Sequence, residues 1–310
     1  MLARLHADGA TEVLKFGVER QIGDDREALV HKLKSLGLKG HKVRVMLRPE
    51  QYQLFQIDAP AVAPDEMRLA ARYQIKEMLD ASMDDITLDV MQVGDGRQKG
   101  TGQLFVVVAT HVVVQGILDL CEAMHWKVSV LDIQECAQRN LQSALASHEG
   151  HVNVANVALV LLDRLQAMLT ISANEELFYT RRFDLPEGFL ADSWEQVNGI
   201  EGKLTTSSIS LAHGNGFGND DQAQRFLVEV QRSLDLWDRF WTGMPLNSIW
   251  VYAGARSDDV SKWLALQLGH KVLPMDINPL FPGFYGGSIV NQAMCLPLLG
   301  VLLRPEDPGS

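Results

Sequence analysis

The sequence predicts an α/β protein of two domains. Strand-like and helix-like segments alternate through residues 1–148, and 310 residues exceed what one small core usually holds. In the second half, Val157–Ser172 is an apolar run, interrupted at Asp163, with the pattern of a strand buried on both faces. We interpret this run as the first strand of a hairpin. Leu177–Leu185 would form the second strand, and the polar break between them would form the turn.

Composition and charge narrow the classes of partner. The net charge is −11, with 28 Lys and Arg against 39 Asp and Glu. This argues against nucleic-acid binding, for which a basic surface is typical, and against general adhesion to an anionic membrane, while a local basic patch stays open. Three scattered cysteines give no disulfide framework and indicate a reducing cytoplasm. The sequence contains no run of about 18 apolar residues that would predict a membrane-spanning helix, and residues 1–15 lack a secretion signal pattern.

The first half predicts strands joined by short turns and amphipathic helices. Asp8-Gly9 between two apolar segments predicts a hairpin, and acids followed by periodic apolar residues predict the helix Asp24–Leu38. Pro64 suits the first position of a helix that we extend to Ala81. The other predicted helices are Gln115–Met124 and Glu135–Ser147, and the predicted strands are Leu2–His6, Thr11–Val18, Lys42–Leu47, Tyr52–Ile57, Ile86–Val93, Leu104–Thr110 and Lys127–Asp132.

The second half predicts one long helix and a closing α/β unit. Asp220–Trp241 repeats apolar residues on one helical face, and we expect the Trp237/Trp241 face to lie in the core rather than to stack on bases. Gly269 suits the C-terminal cap of the helix before it. The remaining predicted elements are the strands Ser207–Leu211, Leu246–Ala253 and Lys271–Met275 and the helices Asp258–Leu268 and Met294–Leu303, the last of which Pro297 interrupts.

Five stretches, taken in their order, resemble one known family. They are QIDAPAVAPDEMRLAARYQIKEML (Gln56–Leu79), LFVVVATHVVVQGILDLCEAMHWKVSVLDI (Leu104–Ile133), FLVEVQRSLDLWDRF (Phe226–Phe240), NSIWVYAGA (Asn247–Ala255) and PLLGVLLRP (Pro297–Pro305). Their order resembles the type IV pilus form of the actin-like (ribonuclease H-like) fold, the family of the pilus assembly protein PilM. The cytoplasmic domain of the secretion protein GspL is a relative. The short form of this chain looks most like the MSHA-pilus protein MshI.

The resemblance implies two actin-like domains. The first would cover residues 1–148, with its core in 1–47 and 126–148 and a small inserted α/β subdomain in 48–125. The second would cover residues 149–310, with its core in 149–185 and 246–304 and an inserted subdomain in 186–245.

The nucleotide loops of the family are degenerate in this sequence. We expect the first "D-I-G" loop to be missing from this sequence, because Met1-Leu2-Ala3-Arg4 resembles the second strand of the family; a start codon further upstream could restore it. The second loop is Asp163-Arg164-Leu165, which lacks the glycine that lets backbone N–H groups approach phosphate. Where the family has a "G-G" motif on the adenosine side of the site, this sequence has Ala253-Gly254-Ala255 and so retains one of the two glycines. We expect ATP and magnesium binding to be weak or lost, with Asp163 and Gly254 as the site if it is retained.

Other chemical motifs favour structural roles. The glycine-rich loop His213–Asn219 lacks the phosphate-loop spacing, and Asp220-Asp221 after it would repel phosphate. Cys121 and His125 have a spacing compatible with a metal on one helix, but no further ligands are visible. No serine stands in a G-x-S-x-G setting. We therefore predict no catalytic residue and no metal site, and we do not expect an enzyme.

The resemblance implies a cytoplasmic adaptor, peripheral at the inner membrane, that binds the N-terminal peptide of a PilN-like single-pass partner. It would couple the membrane platform to the pilus motor ATPase, and self-association stays open. The rival hypothesis is a nucleotide-dependent ATP-binding protein of the same fold, and a sugar-kinase-like enzyme is disfavoured by the degenerate loops. The predicted peptide groove comprises Arg44, Val45, Leu47, Leu54, Phe55, Arg72, Ile75 and Leu79.

Overall fold

Residues 1–6, 11–21, 23, 25–95, 102–161, 166–185, 221–282, 284 and 289–304 are described by a computed structural model. The described chain forms two compact units, which we call unit 1 and unit 2. Unit 1 contains 3–17 and 141–296, and unit 2 contains 18–140 and 297–310. The limits predicted for the domains and their inserted subdomains stay a prediction.

The helices and strands of the described residues follow the predicted order closely. The helices are α1 (Arg26–Ser35), α2 (Met67–Gln74), α3 (His111–Ala123), α4 (Gln134–His148), α5 (Asp221–Phe240), α6 (Ser257–Leu268) and α7 (Ile289–Leu302). The strands are β1 (Leu2–Leu5), β2 (Thr11–Lys15), β3 (Lys42–Met46), β4 (Gln53–Asp58), β5 (Ile86–Gln92), β6 (Gln103–Thr110), β7 (Lys127–Asp132), β8 (Ala155–Leu161), β9 (Gln166–Ala173), β10 (Glu176–Asp184), β11 (Leu246–Tyr252) and β12 (Val272–Pro274).

The single long strand predicted over Val157–Ser172 is wrong. Its two ends belong to β8 and β9, which pair antiparallel from Asn156 with Ser172 to Leu161 with Ala167. Charged residues at the centre of a strand buried on both faces would lose their hydration, which is the physical reason that one continuous strand is unfavourable here. Asp163 itself lies outside the described residues.

The hairpin predicted with Leu177–Leu185 as its second strand is confirmed between β9 and β10. These strands pair antiparallel, and Asn174 and Glu175 connect them with φ angles of 52° and 66°. Two positive φ angles in a two-residue connection match the twist of the flanking strands. Asn is well suited to this conformation, which explains why the polar break in the sequence is a tight turn.

Unit 1 is organised around a five-stranded mixed sheet. The strand order is β10-β9-β8-β11-β12, in which β11 runs parallel to β8 and to β12. Every residue of β8 is buried, as its continuous apolar pattern predicted. The apolar face of α5 is also buried, and Trp237 lies 5.8 Å from the Phe178 ring in an edge-to-face contact. The core role predicted for this tryptophan face is confirmed for Trp237.

Unit 2 contains two small sheets. Strands β3 and β7 pair in parallel, while β4, β6 and β5 form an antiparallel sheet in that order. One face of the antiparallel sheet packs under α2 in a cluster that includes Ile57, Ile75 and Val106. Its other face packs against Leu47 and Ile133. Because successive side chains of a strand point to opposite faces, this sheet contributes side chains to two separate hydrophobic cores.

The helix predicted from Pro64 to Ala81 is shorter than expected. Residues before Met67 form turns with bonds three residues apart, from the Glu66 N–H to the Ala63 carbonyl and from Met67 to Pro64. After Gln74 the chain tightens into a 3₁₀ turn at Lys76–Met78. The apolar spacing continues through all three segments, so periodicity alone extended the predicted helix too far at both ends.

Candidate functional site

The glycine turn after β11 is the described part of the predicted nucleotide site. Gly254 has a φ angle of +57°, which a residue with a Cβ adopts only with strain. The Ser257 hydroxyl accepts a hydrogen bond from the Ala253 N–H at 2.9 Å and donates one to the Gly254 carbonyl at 2.8 Å. The turn thus has a conformation that glycine favours, and the Ala253 N–H and the Gly254 carbonyl are hydrogen-bonded within the chain.

The helix after this turn presents negative charge. Asp258 and Asp259 occupy the first turn of α6, and Asp259 lies 3.4 Å from Nε of Arg256. Carboxylates in the first turn of a helix offset the positive potential of its N-terminus, which would otherwise attract phosphate. The described half of the site therefore favours a structural turn over a phosphate cradle.

The predicted groove residues on β4 point to opposite faces of their sheet. Phe55 packs against the cluster under α2, and Leu54 packs against the cluster that contains Leu47 and Tyr52. A peptide on one face would contact only one of these side chains, because successive residues of a strand alternate between faces. Both come within reach of one peptide at the open edge of β4, which pairs only with β6 among the described strands.

The structure places the other predicted groove residues in different settings. Leu47 and Ile75 are buried in the two cores, while Leu79 is half-buried beside Ile75. Val45 pairs with Leu131 across β3 and β7. The Arg72 guanidinium donates to the Met83 carbonyl. These residues share one unit, but their role in binding a peptide stays a prediction.

Arg44 holds the end of α7. Its guanidinium donates to the carbonyl oxygens of Val301 at 3.0 Å and Leu302 at 2.7 Å. Carbonyl groups in the last turn of a helix have no partner within the helix, and a cation there also favours the helix dipole. Arg44 therefore has a structural function that needs no partner protein.

We expect Arg44→Met to lower the free energy of unfolding by about 1–2 kcal/mol in the isolated protein, because two helix-end carbonyls lose a charged donor. Arg48→Met is the matched control, since Arg48 is exposed and pairs only locally with Glu50 at 3.0 Å. Denaturant titration of both variants measures the difference. Equal stability of Arg44→Met and the parent, together with lost peptide binding, would instead assign Arg44 to the partner.

A buried polar cluster at the end of β7 was missed by the sequence analysis. Asp132 Oδ1 accepts from the Ile133 N–H at 2.9 Å and lies 3.2 Å from Nη1 of Arg304. Next to it, the Tyr52 hydroxyl donates to the buried Glu135 carboxylate at 2.5 Å. The sequence did contain one signal, since Asp132 ends the apolar strand β7 just before α4. Its partner Arg304, however, is distant in sequence and could not be inferred from that pattern.

Burial dominates the electrostatics of this cluster. It raises the pKa of Asp132 above its ordinary value, and the Arg304 guanidinium opposes that rise. Burial also raises the pKa of Cys136 to about 12, so its thiol stays protonated at neutral pH and is no nucleophile. The cluster therefore binds α4, β7 and the end of α7 together, and it offers no reactive thiolate.

No protein-family model and no curated protein matches this chain. A solved structure titled as the PilM-PilN type IV pilus biogenesis complex matches 93% of this chain and 88% of its own chain, with a TM-score of 0.61 and 18% identity.

The protein has an actin-like fold. Two further structures align less closely with this actin-like chain. One is the cytoplasmic domain of EpsL, an inner membrane component of the type II secretion system of Vibrio cholerae, with a TM-score of 0.35, 16% identity and coverage of 56% of this chain and 64% of its own. The other is a Bacteroides thetaiotaomicron protein with an actin-like ATPase fold and unknown function, with a TM-score of 0.45, 9% identity and coverage of 96% and 88%. These two likenesses are too weak to support an assignment.

The two residues considered as metal ligands, Cys121 and His125, do not lie on one helix. Cys121 is buried in α3, whereas His125 follows the end of the helix with a φ angle of 53°. The described residues contain no group of three or more His, Cys, Asp or Glu side chains that could hold a metal ion. In the same part of the chain, no helix has both the length and the apolar character needed to cross a bilayer.

Proposed function

We propose that this protein is a cytoplasmic adaptor of type IV pilus biogenesis, in an MSHA-like system, that binds the N-terminal peptide of a PilN-like inner-membrane protein. The likeness of 93% of this chain to a chain of the PilM-PilN complex is the observation that carries the proposal. The partner would hold the adaptor at the inner membrane. The adaptor would couple this platform to the assembly ATPase.

The open edge of β4 is the proposed peptide site. An edge strand has backbone N–H and C=O groups available to pair with an extended peptide. Leu54 and Phe55 flank this edge on the two faces of the sheet, so alternate peptide side chains could contact both. This arrangement supports the adaptor through main-chain pairing with apolar anchors, and it requires no chemical step.

The rival function is nucleotide-dependent control of assembly. The positive φ angle of Gly254 favours it, because this conformation is what a close backbone approach to a ligand would use. The two carboxylates of the first turn of α6 disfavour it. In this alternative, Asp163 and Gly254 would contact magnesium-ATP.

Calorimetric titration separates the two functions. We expect the purified protein to bind the N-terminal cytoplasmic peptide of a PilN-like protein and to release no heat with magnesium-ATP. Phe55→Ala should weaken peptide binding by about tenfold or more, as loss of an apolar anchor does. Asp163→Ala should leave peptide binding unchanged.

Leu266→Ala is the matched control for Phe55→Ala, because Leu266 is an exposed apolar side chain of unit 1 with 84% of its surface accessible. Tight ATP binding that Asp163→Ala abolishes, with no peptide heat, would reject the adaptor and support the rival.

A further inference from the structure

The end of the β3–β7 sheet at which both strands begin carries lysines in an acidic protein. Lys42 and Lys127 start the two strands, Lys39 lies in the loop before β3, and Lys32 and Lys34 lie in the last turn of α1, which that loop joins to β3. We call these five lysines the basic edge. All five are exposed. Without them the formal charge of the chain would be −11 − 5 = −16.

Backbone hydrogen bonds bring these separate segments together. The Gly40 N–H donates to the Met124 carbonyl at 3.0 Å, and the Lys127 N–H donates to the His41 carbonyl at 2.9 Å. The Trp126 indole donates to the Leu38 carbonyl. The loop after α1 is thus fixed against the turn before β7, which gathers lysines that are up to 95 positions apart in the sequence.

Lys42 and Lys127 are direct partners in the register of β3 and β7, so two lysines stand side by side on neighbouring strands. Lys32 and Lys34 favour the C-terminus of α1 through the helix dipole, but Lys39, Lys42 and Lys127 belong to no helix end. The chain therefore keeps a concentration of positive charge that helix stability does not explain.

We propose that the basic edge docks on an anionic phospholipid surface. Each lysine near such a surface strengthens binding by roughly fivefold, and the attraction falls off within a Debye length. The remaining charge of the chain is strongly negative, so an anionic surface repels other orientations and selects this one. Lysine suits this role because its flexible, compact charge needs no planar, bidentate partner of the kind that arginine selects in a folded binding site.

This inference goes beyond the proposed function, since it requires neither a PilN-like peptide nor a nucleotide. Five lysines without an apolar anchor give weak, reversible attachment, which a second contact with the membrane platform would strengthen. The basic edge would then orient the protein on the inner leaflet rather than hold it there alone. The peptide titration and the lipid experiment can accordingly fail separately.

Vesicle co-sedimentation tests the proposal with the full chain. We expect binding to phosphatidylcholine vesicles that contain about one-third phosphatidylglycerol, none to pure phosphatidylcholine, and loss of binding at about 0.5 M salt. Lys39→Glu with Lys127→Glu should weaken binding by well over tenfold, because two positive charges become negative. Lys262→Glu with Lys271→Glu makes the same change in net charge at exposed positions of unit 1 and should keep most of the binding.

Lys39→Gln with Lys127→Gln gives a second pair of variants that removes charge without adding acids, and an intermediate loss is expected. Circular dichroism checks that each variant is folded. The proposal would be overturned if Lys39→Glu with Lys127→Glu and Lys262→Glu with Lys271→Glu lost vesicle binding to the same extent. Equal binding of the parent protein to vesicles with and without phosphatidylglycerol would also overturn it. Binding to polyglutamate but not to vesicles, sensitive to the Lys39 and Lys127 reversals, would overturn it in favour of an acidic protein segment.

Discussion

Gly300→Ala is expected to lower the free energy of unfolding by about 3 kcal/mol or more, although it adds a single methyl group. A Cβ at this position would lie 1.7 Å from the carbonyl oxygen of Ala137 and 2.4 Å from its carbonyl carbon. Both atoms belong to the backbone of α4, so no side-chain rotation relieves the overlap. The helices α4 and α7 would have to move apart, and the bond from Asn140 to the Gly300 carbonyl at 3.1 Å would be disturbed.

Gly116→Ala is the matched control. Gly116 also lies inside a helix, α3, and an added Cβ would meet only the tip of Arg26 at 3.6 Å. This variant should keep its stability or gain up to about 1 kcal/mol, since alanine favours the helix more than glycine does.

Denaturant titration measures both variants, and a third variant identifies the cause. Ala137→Gly combined with Gly300→Ala should not restore stability, because the overlapping atoms are those of the Ala137 backbone. Rescue by Ala137→Gly, or a small effect of Gly300→Ala alone, would show that the two helices do not cross this closely.

Arg304→Met is expected to lower the free energy of unfolding by about 2–3 kcal/mol at neutral pH. The loss is smaller than for a fully buried ion pair, because the Arg304 side chain is one-third exposed. The Asp132 carboxylate would stay buried, with 1% of its side chain accessible, and would lose its charged partner. A buried charge without its partner destabilises the fold more than the pair stabilises it.

The loss should depend on pH with a defined sign. Burial raises the pKa of Asp132, and Arg304 lowers it, so the variant raises this pKa further. An acid with a raised folded pKa binds its proton more tightly in the folded state, so it destabilises the fold above that pKa and ceases to do so as the pH falls towards the ordinary range of Asp. The difference between Arg304→Met and the parent should therefore shrink between pH 7.5 and about pH 4.5.

Unfolding titrations at the two pH values measure this difference. Arg68→Met is the control, because Arg68 forms an exposed pair with Asp89 at 2.8 Å and should change stability little at either pH. Asp132→Asn added to Arg304→Met should recover much of the loss, since position 132 then carries no charge. A loss that is the same at both pH values would show that Arg304 acts through packing alone.

Local sequence patterns determined most of the element order. The apolar face of α5 predicted a buried helix, and the apolar run in β8 predicted a strand buried on both faces, because a side chain's periodicity records which side of its element faces the core. The residues at which helices and strands begin and end were predicted less accurately. The apolar pattern of β8 resumes in β9 after a short interruption, and that of α2 continues into a 3₁₀ turn, so periodicity could not show where the chain turns.

The sequence by itself thus determined the alternation of strands and helices, the presence of a turn in the polar break that contains Asn174 and Glu175, and the acidic character of the whole chain. Only the tertiary structure decided that Arg304 meets Asp132, that Gly300 touches the α4 backbone, and that distant lysines share one edge. Periodicity and turn chemistry are properties of neighbouring residues. Contacts between residues far apart in the chain depend on how the elements pack, which no local pattern encodes.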